Sequence, residues 1–124
     1  MGMLDHKVAF ITGAASGIGA STAERFAEQG ARVVLADIQR EAGERLRDAI
    51  AARGGQALYV DCDVTSAESV RLAVAAAAEQ FGRLDIVFAN AGINGVFAPI
   101  DELQPEEWDR TFATNLRGTY LTVH

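Results

Sequence analysis

The sequence predicts an α/β fold, a doubly wound parallel sheet of four strands with flanking helices. Three observations predict it. Four short apolar runs, rich in β-branched and aromatic residues, recur along the 124 residues without sustained polar alternation, as strands covered on both faces require. Segments of helical period separate them. Glycine stands where those segments end. Strand alternating with helix gives βαβαβαβ, and the right-handed crossover rule makes the strands parallel.

The first strand is Lys7–Thr12, which runs straight into a glycine-rich turn, Gly13 to Gly19, and a helix. The second strand is Arg32–Ala36. A helix beginning near Gln39 follows, with Ala42, Leu46, Ala49 and Ile50 on one face. Ala57–Val60 forms the third strand. Thr65 and Glu68 have capping-box spacing ahead of a helix whose apolar face is Val70, Val74, Ala77, Ala78 and Phe81. Leu84–Ala89 is the fourth strand. Gly30, Gly54 and Gly82 sit at the helix exits. A loop from Asn90 to Gln104 leads to a last helix starting near Pro105, with the stripe Trp108, Phe112, Leu116, Tyr120 and Val123. That helix is expected to be still running at His124, where nothing resembles a cap.

Composition narrows the function. With 49% hydrophobic and 23% charged residues, the chain is not a disordered tail, a collagen-like fibre or a disulfide scaffold. A single cysteine, Cys62, forms no intrachain bridge, which suits a reducing cytoplasm. The first residues do not resemble a secretory leader, and no apolar run approaches the length of a membrane span. A formal net charge of -6 argues against nucleic acid or an anionic membrane surface as partner. Cys62, His6 and His124 lack ligand spacing, so no metal site is expected.

The chemistry is concentrated at two strand exits. At Thr12-Gly13-Ala14-Ala15-Ser16-Gly17-Ile18-Gly19, missing side chains let backbone N–H groups approach a pyrophosphate, and the helix N-terminus adds partial positive charge. An acidic protein can thus hold an anionic ligand through local dipoles. The bland alternative is a glycine-rich surface turn, which the strand before and helix after make the weaker reading. Asp37 lies 24 positions after Gly13, at the tip of the second strand. An acid there accepts hydrogen bonds from the adenosine ribose hydroxyls and repels a 2′-phosphate, favouring NAD over NADP. Its alternative is a turn aspartate capping the next helix. Arg40 is in reach of a 2′-phosphate in principle and is read as a solvated first-turn residue.

The spacing G-x3-G-x-G from Gly13 to Gly19, together with Asn90-Ala91-Gly92 after the fourth strand, resembles the short-chain dehydrogenase/reductase family. Asp63-Val64 and Asn115-Leu116-Arg117-Gly118 add to the match, which runs end to end. The resemblance implies a Rossmann-like fold, hydride transfer between nicotinamide and an alcohol or carbonyl, and a dimer or tetramer. It assigns Gly13, Ser16, Gly17, Ile18 and Gly19 to the pyrophosphate and adjacent ribose, and Asp37 to the adenosine ribose. Asp63 takes the adenine amino group and the Val64 backbone meets the ring. Asn90, Ala91 and Gly92 line the cleft near the riboses. Asn115, the one catalytic residue assigned, holds a water in a proton relay. Ser16 and Ile38 stand where NADP-preferring relatives often carry a basic residue, which supports NAD. Read without the resemblance, Asp63 equally terminates a strand and starts a helix, Asn90 equally serves a turn, and Asn115, at the border of the last stripe, equally bonds a neighbouring loop.

The family's tyrosine–lysine pair, four residues apart, has no counterpart here. Four after Tyr59 is Asp63, four after Tyr120 is His124, and the single lysine, Lys7, precedes both. Residues 1–124 are therefore expected to be the dinucleotide-binding, N-terminal part of such an enzyme, inactive alone and prone to associate through the fourth strand's open edge. The alternatives are a non-catalytic dinucleotide-binding module and, fitting less well, an S-adenosylmethionine methyltransferase, in which Asn90-Ala91-Gly92 and Asn115 have no work.

Overall fold

A computed structural model of the chain describes residues 2–91 together with Pro105, Glu106 and Asp109. The elements in order are β1 (Val8–Thr12), α1 (Gly17–Glu28), β2 (Arg32–Asp37), α2 (Arg40–Ala52), β3 (Gln56–Asp61), α3 (Ala67–Phe81) and β4 (Ile86–Phe88). All pairings are parallel, and the sheet order is β3-β2-β1-β4. The Rossmann-like arrangement expected from the sequence is the one observed. Strand order runs outward from β1 in both directions, so the crevice between the ends of β1 and β4 is the switch point where such sheets bind ligands.

Alternate residues of each central strand serve opposite faces. Ala9 and Ile11 of β1 join Val33 and Leu35 of β2 beneath α1 and α2, with Ala23, Leu46 and Ile50 closing that layer. Val8, Phe10, Val34 and Ala36 form the other layer with Val70, Ala73 and Ala77 of α3. Burial on both faces explains why these strands read as unbroken apolar runs.

The periodicity located the helices but not every contact residue. Ala49 and Ala78, expected in the apolar stripes, are exposed; Gly43 and Ala73 are buried in their place. At Gly43 the cause is close packing, since an added Cβ would press into the Tyr59 ring. The outer strands also depart from expectation. β3 and β4 are partly exposed because they are the two edges among the described residues. The α3 cap is Ser66 rather than Thr65: the Ser66 side chain accepts from the Ser69 amide at 3.2 Å. Thr65 is drawn instead towards Asp63. Gly30, Gly54 and Gly82 all take positive φ at the helix exits, as anticipated. Pro105, Glu106 and Asp109 are helical and exposed, which agrees with a helix start near Pro105.

Candidate functional site at the carboxyl edge of the sheet

The β1–α1 turn is shaped by the absence of side chains. Gly13 has φ +64, and a Cβ there would lie 2.8 Å from the Ala91 Cα. At Gly19 a Cβ would press on the Gly13 carbonyl oxygen and lie 2.7 Å from the Asn90 Nδ2. The turn, the start of α1 and the residues after β4 therefore touch backbone to backbone. Ser16 occupies the N-cap of α1 in extended conformation without a side-chain cap bond, and no acid stands in the first turn. The unpaired first-turn amides and the positive end of the helix dipole are thus not neutralised by the chain's own carboxylates there.

Asp37 closes the opposite wall. Only 7% exposed, its carboxylate accepts from the Ala15 amide at Oδ2 and from the Gln39 amide at Oδ1, each at 2.9 Å. The turn-capping role and the position facing the glycine turn are both realised by one side chain. A carboxylate offers about four acceptor sites, so capacity remains for ribose hydroxyls.

Thr12, 1% exposed, is the residue that sequence reasoning passed over. Its Oγ1 accepts from the amides of Asn90 (3.0 Å) and Ala91 (3.1 Å), fastening the end of β4 to the end of β1. Asn90 also donates from Nδ2 to the Gly13 carbonyl at 3.4 Å. The signal was available: a hydroxyl ending an otherwise apolar strand needs a partner if buried.

After β3, Asp63 takes up its structural alternative. Its Oδ1 accepts from the Thr65 amide (2.9 Å) and hydroxyl (2.6 Å), and its own amide donates to the Ser69 Oγ at 2.9 Å. Val64 is buried in the α3 layer, so its backbone, not its side chain, is what it can offer a ligand. Cys62 is buried, and desolvation, reinforced by the negative charges of Asp63 and Asp37, pushes its thiol up to about 11. The thiolate is the reactive form, so iodoacetamide should label the native protein slowly at pH 8 and faster only towards pH 11. Rapid labelling at pH 8 without unfolding would contradict this burial. Because the folded thiol titrates higher than the free one, its contribution to stability is complete below the ordinary thiol range and is lost as pH rises through about 11.

Arg40 is an exposed first-turn residue, as the sequence suggests, and it is also ion-paired. Its guanidinium pairs with Asp61, lies 3.3 Å from Glu44, and stacks 5.5 Å from the Tyr59 ring centroid. The Tyr59 hydroxyl lies 2.6 Å from the Asp37 carbonyl oxygen and 2.9 Å from the Asp61 Oδ1. Tyr59 and Asp61 share a strand face by period two, which is the signal that would have found this cluster.

The exits of β1, β2, β3 and β4 surround a crevice of about 250 Å³. Gly13, Ser16, Asp37, Asp63, Val64, Asn90 and Ala91 line it, as does Ile38, the position weighed for a basic residue, and so do Gln39 and Cys62, which the sequence did not place there. Gly17, Ile18 and Gly19 do not line it; they continue the turn into α1, where Ile18 is 71% exposed. Gly92 and Asn115 lie outside the described residues. Among the described residues no cluster of His, Cys, Asp or Glu could hold a metal, and no helix is long and apolar enough to cross a membrane.

The chain is similar throughout to known proteins. The profile of the family described as short chain dehydrogenase matches residues 7–124. Short-chain dehydrogenase reductase 3b of Arabidopsis thaliana is 47% identical over 116 residues, 94% of this chain and 44% of that protein. The crystal structure of a 3-ketoacyl-ACP reductase from Sinorhizobium meliloti 1021 superimposes with a TM-score of 0.92 at 52% identity, covering 94% of this chain and 46% of the other. That of NAD+-bound xylitol dehydrogenase gives 0.94 at 36%, covering 98% and 46%. The chain thus spans just under half the length of these proteins. With strand order, glycine turn and Asn90-Ala91 all meeting at one edge of the sheet, and the family profile running to the last residue, the chain belongs to the short-chain dehydrogenase family.

Proposed function

We propose that residues 1–124 are the dinucleotide-binding part of an NAD-dependent oxidoreductase that moves a hydride between nicotinamide and a small alcohol or carbonyl substrate. The observation that carries the cofactor assignment is the pairing of a turn that admits no side chains with Asp37, whose carboxylate reaches across to the Ala15 amide at 2.9 Å. The residues present fit a dinucleotide. The Gly13–Gly19 turn offers backbone donors to the pyrophosphate, Asp37 offers acceptor sites to the adenosine ribose, and the crevice between them is open. At about 250 Å³ it falls just below the roughly 300–1,000 Å³ of whole-ligand pockets, so it suits the adenosine half. Bound, the nicotinamide would accept or deliver the hydride. NAD bound to one similar dehydrogenase supports the choice of dinucleotide.

In this reading Ser16, Gly17, Ile18 and Gly19 follow the pyrophosphate into α1. The Val64 backbone meets the adenine, and Asp63 offers its remaining carboxylate oxygen to the adenine amino group. Asn90, Ala91 and Gly92 border the riboses, and Asn115 holds a relay water. Proton transfer needs a tyrosine with a lysine four residues on, a pair this sequence does not contain, so the chain alone is proposed to bind without turnover. A homo-oligomer in a reducing cytoplasm completes the proposal.

The alternative reading is a non-catalytic dinucleotide-binding module. An open frame beyond codon 124 encoding Tyr-x-x-x-Lys would remove it. Calorimetric titration of the full protein with NAD, NADP and S-adenosylmethionine tests the main proposal. NAD is expected to bind at least about tenfold more tightly than NADP, a difference of roughly 1.4 kcal/mol, with no heat from the methyl donor. Binding of the methyl donor without NAD would overturn it.

A further inference from the structure

Beside the crevice, but not lining it, sit a cation and an acid that the cofactor assignment leaves without work. Arg40 opens α2, three residues beyond Asp37, and Asp61 ends β3 as the register partner of Asp37. A guanidinium near the adenosine ribose is the group that accommodates a 2′-phosphate in dinucleotide folds. Here it is already occupied. Asp61 pairs with it, Glu44 stands 3.3 Å away, and the Tyr59 ring lies beneath it at 5.5 Å.

We propose that Asp61 is a specificity-determining residue of this site: it holds the Arg40 guanidinium against Tyr59 and so withdraws it from any 2′-phosphate arriving beside Asp37. The inference rests on the reading of Asp37 as the ribose acceptor. Tyr59 fixes the arrangement. Its hydroxyl lies 2.6 Å from the Asp37 carbonyl oxygen and 2.9 Å from the Asp61 Oδ1, and its single proton is shared between these two acceptors, which keeps the carboxylate beside the tip of β2. Gly43 makes room for the ring against α2. Two acids then select the unphosphorylated sugar by different means. Asp37 repels the phosphate directly, whereas Asp61 competes with it for the cation.

The test uses the wild-type full protein and four variants: Asp37→Ser, Asp37→Ser with Asp61→Asn, and each of these with Arg40→Ala. The readout is the ratio of NADP to NAD affinity by calorimetric titration. Asparagine keeps an oxygen for the Tyr59 hydroxyl and removes the charge. Releasing an exposed ion pair should raise the ratio about fivefold on Asp61→Asn. Adding Arg40→Ala should erase that gain, while Arg40→Ala with Asp61 intact should move the ratio by less than about twofold. No gain on Asp61→Asn, or a gain that survives Arg40→Ala, overturns the inference. If Asp37→Ser itself leaves the ratio at its wild-type value, the ribose assignment fails and this inference with it. A shift on Asp37→Ser that Asp61→Asn does not extend defeats the inference alone. Should the Asp61→Asn form not fold, the Asp37→Ser pair decides: lost NADP preference on Arg40→Ala overturns the proposal, and an unchanged ratio supports it.

Discussion

Gly19→Ala is expected to lower the melting temperature by roughly 5–15 °C and to weaken NAD binding by at least about tenfold, or 1.4 kcal/mol. The new methyl would press on the Gly13 carbonyl oxygen, 2.9 Å from the carbonyl carbon and 2.7 Å from the Asn90 Nδ2. None of these is the far end of a flexible side chain. Two are backbone atoms of the turn, and the third is a short amide tied to the Gly13 carbonyl. Overpacking of this kind costs about 1–3 kcal/mol. Relief requires the turn to move away from α1, which withdraws the amides proposed to hold the pyrophosphate. Thermal unfolding and titration with NAD together check this. A variant with wild-type melting and wild-type affinity would show that the turn and α1 need not touch.

Asp37→Ala is expected to weaken NAD binding roughly 10- to 100-fold, the worth of about 1.5–3 kcal/mol of charge-assisted hydrogen bonding, and to narrow the discrimination against NADP. The structure adds a second consequence. The same carboxylate accepts from the amides of Ala15 and Gln39, so its loss unties the glycine turn from the tip of β2 and leaves both donors short of a partner. Asp37→Asn separates the effects. Its amide oxygen can still receive one backbone donor, whereas the charge opposed to a 2′-phosphate is gone. Selectivity should therefore fall in both variants, and stability more in the alanine form. Equal NAD/NADP ratios in wild type and Asp37→Ala would remove Asp37 from the cofactor site.

Much of this was legible in the sequence because the central strands are buried on both faces and record it as continuous apolar runs. Val8–Thr12 and Arg32–Asp37 were located to within a residue at each end. The glycine turn was legible because its requirement is steric and local. What escaped was set by tertiary contact. The choice of Gly43 over Ala49 depends on the Tyr59 ring one strand away, and helical period alone does not carry that information. The Ser66 cap was missed because Asp63 captures the neighbouring threonine hydroxyl. The cluster of Tyr59, Asp61 and Arg40 joins residues up to 21 positions apart, and only strand pairing brings them together. Asp63 was legible as two alternatives: its Oδ1 closes the turn ahead of α3 through Thr65, and the residue also lines the crevice.

The Thr12 hydroxyl, by taking two amides from the segment after β4, acts as a rivet between β1 and its neighbour β4. The proposed nucleotide could not wedge those strands apart without breaking both bonds to a hydroxyl that is itself buried. Opening of the cleft is expected to fall on its outer bank, where the exposed Ile38 leads into α2, with hydrogen exchange faster at Ile38 than at Asn90.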